Sequence, residues 1–218
     1  MQLIFQSEEF NDLSINELIQ KYGNDYNLNI LKEIQTEVLL SLKFMPRQLD
    51  SRGNKFMDWE NGQSRGNFKY DPPLGWIGIG LKVIDIYDDS DNTWIGNKNE
   101  KGEWAIAYHA ISNVKYAIMI INGRSFKPGS GQAHSNCDDI YHPGKKVGEG
   151  VYFTPLIKVV EEYAGTMNIK GKQYKMVIMV RIKPNAIRHC ECGDYWVVNG
   201  TNDEVSNIFV EIIFKYNL

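Results

Sequence analysis

Apolar residues recur at two different spacings along this chain, and the change between them divides it. Ser14-Ile15-Asn16-Glu17 has the form of a capping box, and it predicts a short helix over about residues 15–22. Leu28, Leu31, Ile34, Val38 and Leu42 then repeat at three- and four-residue steps, one apolar helix face that ends before Pro46. Residues 46–73 are polar, glycine-containing and without a period, which reads as a loop or linker. Beyond them the spacing shortens to two. "WIGIGLKVIDIYD" predicts one or two strands and "EWAIAYHAI" another. Helical spacing returns in "NVKYAIMIINGR" and stops near Gly123, followed by a Gly-, Ser-, Asn- and Asp-rich loop over residues 124–148. "GVYF" is a short strand that passes through Thr154 and Pro155 into a helix carrying Tyr163. "YKMVIMVRIKP" is apolar enough for a strand buried on both faces, and "DYWVV" and "IFVEIIFKY" are two more strands.

Strands outnumber helices and do not alternate with them regularly, so the expected class is α+β rather than a doubly wound sheet. The pattern suggests an N-terminal helical region over residues 1–45, a loop or linker over 46–73 and a folded domain over 74–218. With 43% hydrophobic and 23% charged residues among 218, the composition is that of an ordinary globular protein able to bury a core. The formal net charge of −3, without a lysine or arginine block, gives nucleic acid or an anionic membrane little to bind, and neither is an expected partner. "MQLIFQSEEFND" lacks a basic start, and "YAIMII" and "MVIMV" are too short to span a bilayer. An intracellular location, cytoplasmic or nuclear, is therefore the expectation.

Cys137, Cys190 and Cys192 are odd in number, a poor disulfide framework, and are expected as reduced thiols. Together with His134, His142 and His189 they could staple the long loop through zinc, but their spacing matches no standard finger, so no metal is expected. The chain also lacks a Gly-x-Ser-x-Gly nucleophile elbow and a Rossmann glycine fingerprint.

The order of "AYHAISNVKYAIMIINGRSFKPG", "VGEGVYFTPLIKVVEEYA" and "GDYWVV" resembles the catalytic domain of the poly(ADP-ribose) polymerase and diphtheria-toxin-like ADP-ribosyltransferases over roughly Trp104 to Tyr216. The resemblance implies two packed, mostly antiparallel sheets with flanking helices, and makes residues 74–218 the catalytic domain. It implies NAD as substrate, nicotinamide as leaving group and mono-ADP-ribosylation of a protein or other acceptor. On this resemblance His109 holds the nicotinamide ribose, the backbone at Ala110 faces the carboxamide, and Tyr152 and Tyr163 sandwich the nicotinamide ring. Asp194 or Glu204 supplies the carboxylate that steadies an oxocarbenium-like transition state. The loop over residues 124–148 covers the adenosine side, with Arg124 and Gln132 as candidate contacts.

Three positions depart from the family. Ala110 stands where a glycine is usual, Val160 where many members carry a serine, and Asp194 where a glutamate is expected. They leave open an alternative: a catalytically inactive module of the same fold that binds NAD, ADP-ribose or a protein partner. Taken singly, the residues also have plainer uses, His109 as a core or rim histidine, Tyr152 and Tyr163 as packing, and Asp194 as a turn residue.

Overall fold

The computed structural model of the chain describes residues 55–56, 64–84, 91–113, 116–117, 119–120, 126, 128, 132, 134–169, 172–199 and 209–216. In chain order the strands are β1 (Lys55–Phe56), β2 (Ser64–Arg65), β3 (Phe68–Lys69), β4 (Ile77–Gly80), β5 (Ala105–Ala110) and β6 (Val151–Phe153). Helix α1 (Ile157–Tyr163) comes next, then β7 (Thr166–Ile169), β8 (Lys172–Ile182), β9 (Arg188–His189), β10 (Trp196–Val198) and β11 (Phe209–Tyr216). Two helices expected before Pro46 lie outside the described residues.

The long apolar run becomes the spine of the larger sheet, ordered β1-β4-β11-β8-β5 with β7 also paired to β8. A smaller sheet runs β6-β10-β9, and the pairings in both sheets are antiparallel. The class is α+β, with few helices and mostly antiparallel strands. Alternate residues of β8 face opposite ways, which explains why its sequence shows no polar face. Met176, Ile178 and Val180 join Ala105 and Ala107 of β5, Val151 and Phe153 of β6, and Trp196 and Val198 of β10 in the core shared by both sheets. Val177 and Met179 pack the other way, with Ile106, Tyr108, Trp76 and α1 residues Ile157 and Val160.

The two sheets meet where β5 and β6 cross. Tyr108 and Thr154 exchange both backbone hydrogen bonds there, at 2.8 and 3.1 Å. The hydroxyl of Thr154 then accepts from Leu156 N–H (3.2 Å), turning the chain into α1. Gly148 and Gly150 let the chain pass close to β10 and the residue after it. Gly148 has φ +72°, and a Cβ on Gly150 would lie 2.5 Å from Val198 O and 2.8 Å from Val197 Cγ1. Gly150→Ala is expected to cost about 1–3 kcal/mol through overpacking. Chemical denaturation checks this, and an unchanged midpoint would show that β6 can shift away from β10.

Part of the stretch expected as linker is packed. Gly66 (φ 57°) and Asn67 (φ 67°) make the two-residue turn of a β2-β3 hairpin, and Tyr70 is buried. Both central residues need positive φ, and the Gly-Asn pair is the local signal for that turn. The folded unit therefore extends upstream of residue 74. Residues 116–117 and 119–120 are helical, within the segment expected as a helix after β5. Among the described residues, no helix is long and apolar enough to cross a membrane.

The cysteines differ from expectation. Cys137 and Cys192 form a disulfide, with Cα atoms 6.1 Å apart, while Cys190 is free and buried. Fifty-five residues separate the pair, and only the folding of the long loop onto the β9-β10 connection brings them together.

Candidate functional site

A cleft of about 520 Å³ opens at the β5-β6 crossing, lined by His109, Ala110, Gln132, Tyr152 and Tyr163 among others. Five of the eight residues singled out from the sequence thus share one cavity. Its walls are the end of β5, the strand β6 and the last turns of α1.

His109 is half-buried, its ring edge-on to Phe126 at 4.7 Å and tilted toward Phe153 at 5.6 Å and Tyr116 at 6.3 Å. Its Nδ1 lies 2.8 Å from the carbonyl oxygen of Tyr152. A carbonyl can only accept, so Nδ1 carries the proton, and in the neutral ring Nε2 is the acceptor. Burial pushes the imidazole below its ordinary pKa, and the bond to the Tyr152 carbonyl opposes this in part. His109 is therefore a neutral, oriented acceptor at neutral pH.

This has a consequence for stability. The unfolded chain binds a proton at His109 more readily than the folded one, so stability is fully present above about pH 6.5 and falls as pH drops through the interval down to the folded pKa. His189 is shifted the same way, mainly by burial. Thermal melts between about pH 7.5 and about pH 5.5 are expected to show wild type losing stability, and His109→Phe losing less of it. Equal losses in both would remove His109 from this effect.

Ala110 pairs with Val177 in the sheet and does not have positive φ; among the described non-glycine residues only Asn67 and Asn99 do. The methyl group of Ala110 is thus carried without backbone strain. Val160 is buried in the cleft wall and offers no hydrogen bond. Tyr152 is half-buried, and burial raises its phenol pKa.

Tyr163, at the end of α1, is 61% exposed. Its ring stands edge-on to Tyr195 at 6.3 Å, and the two hydroxyls share a 2.9 Å hydrogen bond. That bond, helped by burial, pushes the Tyr195 phenol up to about 12, so Tyr195 holds its proton firmly. Tyr195, Tyr116 and His134 line the cleft and were not singled out as nicotinamide contacts. Tyr195 directly follows Asp194 in "GDYWVV", and nothing in the local pattern marks it as a cleft residue.

Gln132 also lines the cleft, but its amide is used internally. Oε1 accepts from Gly150 N–H (3.0 Å) and Nε2 donates to Gly150 O (3.3 Å). It fastens the long loop to β6. Asp194 is exposed in the turn before β10 and is not part of the cleft lining. No carboxylate belongs to the cleft wall among the described residues. Arg124 and Glu204 lie outside the described residues.

A buried acid ties the long loop to β9. Asp139 is 2% exposed and accepts from the backbone N–H groups of Tyr141 (3.0 Å) and His189 (3.1 Å). His142 Nδ1 meets its other oxygen at 2.6 Å, with Arg188 3.7 Å away. Burial alone would raise this carboxyl. The hydrogen bonds from His142, His189 and Tyr141 outweigh it and hold the group below the usual carboxylate range.

Comparison with family models, with curated proteins and with solved structures finds no match for the chain.

Proposed function

We propose that the cleft binds NAD and that the protein is an ADP-ribosyltransferase of the type its sequence resembles, transferring a single ADP-ribose to a protein or other acceptor. The observation that carries this reading is the fixed tautomer of His109, a residue that lines one cleft together with Tyr152 and Tyr163. Nicotinamide would lie between the tyrosine rings, where offset stacking contributes about 0.5–1.5 kcal/mol per aromatic pair. His109 Nε2 would accept from a ribose hydroxyl. The bond from the anomeric carbon to nicotinamide breaks with its electron pair going to the ring nitrogen, and an acceptor nucleophile adds to that carbon and loses a proton. A carboxylate steadies the positive charge that develops on the sugar. Asp194 and Glu204 remain the candidates, and the exposure of Asp194 favours Glu204.

A second reading rests on the cleft wall, which has no acid among the described residues. A site that stacks nicotinamide without such a charge binds NAD and does not turn it over.

Purified protein incubated with NAD labelled in the nicotinamide and adenylate halves separates these readings. Nicotinamide release with covalent adenylate label, both lost in Glu204→Gln, supports the transferase. Release without label indicates hydrolysis, and a thermal shift by NAD without release selects the binding module. Neither release nor shift removes NAD from this cleft.

A further inference from the structure

His134, Cys137, Cys190 and Cys192 come from two segments more than fifty residues apart, yet their ligand atoms all lie within 4.8 Å of one another. We propose that, when the Cys137–Cys192 bond is reduced, these four residues bind one zinc ion as a closed structural centre beside the cleft.

The convergence exceeds what a disulfide requires. A disulfide needs two sulfurs, and this one has a third thiol and an imidazole gathered around it. Cys190 is fully buried against Val147 and Val197, and His134 Nδ1 stands 3.9 Å from Cys137 Sγ. In a zinc tetrahedron with Zn–S near 2.3 Å and Zn–N near 2.0–2.1 Å, neighbouring ligand atoms are about 3.5–3.8 Å apart. The widest gaps therefore close by about 1 Å, and the two sulfurs of the disulfide, bonded at about 2 Å, separate by nearly 2 Å once reduced. Three thiolates and one imidazole favour zinc over the hard cations.

The scaffold is held without a metal. Asp139 and Cys190 form a β-bridge, Glu191 N–H donates to Asp138 O (3.0 Å), and Cys190 N–H donates to Tyr195 O (2.9 Å). The His134 ring lies flat on Tyr195, with centroids 5.0 Å apart and planes at 16°. Of the other two candidate histidines, His142 bonds Asp139 through its ring and His189 through its backbone N–H, and neither ring belongs to the cluster. With four protein ligands the ion has no open position, so its work would be to hold the 134–148 loop against the turn that carries Tyr195.

Disulfide and metal exclude each other. A phosphine reductant takes up the oxygen of a water molecule and leaves two thiols on Cys137 and Cys192. Zinc then binds the three cysteines as thiolates and the neutral histidine, and three protons are released. Thiols persist in reducing compartments and disulfides in oxidising ones, so the occupant follows the surroundings.

The test is metal stoichiometry on the full chain, which is independent of any NAD chemistry. Phosphine-reduced protein is loaded with zinc salt, desalted and assayed for bound metal, and cobalt replaces zinc for spectroscopy. About one zinc per chain is expected, as is a cobalt form with thiolate charge-transfer and tetrahedral ligand-field bands. His134→Ala and Cys190→Ser are expected to weaken binding by more than the roughly 10–100-fold lost when only a group supporting a ligand is removed. His134 is half-buried, so its variant carries the test if Cys190→Ser does not fold. Reduced, folded wild type without stoichiometric zinc overturns the proposal. So does His134→Ala that retains zinc like wild type, or oxidised protein that holds zinc with its disulfide intact.

Discussion

Replacing His109 by phenylalanine is expected to lower nicotinamide release from NAD by roughly a hundredfold while leaving a folded protein, because misplacing the substrate by about 1 Å can cost that much. Phenylalanine keeps the aromatic contacts with Phe126 and Phe153 and removes both ring nitrogens. Two losses follow. The Tyr152 carbonyl gives up its 2.8 Å partner, and on the proposed reading the ribose would lose its acceptor. Wild type and variant are compared by release rate and thermal midpoint together. A folded variant that releases nicotinamide at the wild-type rate would show that the histidine only packs. A fall in rate and midpoint together in His109→Ala, but in rate alone in His109→Phe, would separate positioning from packing.

Asp139→Ala is expected to cost about 3 kcal/mol of folding stability, the order found when one partner of a buried, hydrogen-bonded charge is removed. The alanine removes the acceptor of two backbone donors, on Tyr141 and His189. The side chains of His142 and Arg188 are partly exposed and can turn to solvent, which keeps the figure at the low end. For a chain of this size it corresponds to a fall of roughly 6–12 °C in Tm. Asp139→Asn keeps the oxygen that accepts from both backbone groups and is expected to lose less. The carboxyl sits below its unfolded pKa, so its contribution is present above about pH 4 and is lost as pH falls through the folded value. A differential melt of the two variants decides the matter. Equal losses would place the importance in the charge, not in the backbone bonds.

Short-range pattern was enough to read most of the described strands. β8 declared itself by a run with no polar face, and α1 by the proline-led turn after β6. The hairpin at Gly66-Asn67 was equally local but sat in a polar stretch with no alternation around it, so the absence of a period concealed it. His109, Ala110, Tyr152 and Tyr163 were singled out by the order of motifs that carries the resemblance, and the fold lines one cleft with them. Tyr195, His134 and Tyr116 reach the same cleft through loop folding, which leaves no periodic trace. The Cys137–Cys192 pair and the Asp139 anchor are hidden for the same reason, since each depends on where residues 134–148 lie against the β9-β10 connection.

The glycines of "GEGVYF" bear on how other sequences are read. Gly150 is required because β10 passes where a side chain would be, and Gly148 because the backbone turns through a left-handed conformation. Neither requirement mentions a ligand. A chain found by this hexapeptide therefore announces that two strands come into close register, and it does so whether or not it has any chemistry to perform. Catalytic competence has to be sought in residues that the junction does not need, the imidazole that ends β5 and an acid able to reach it.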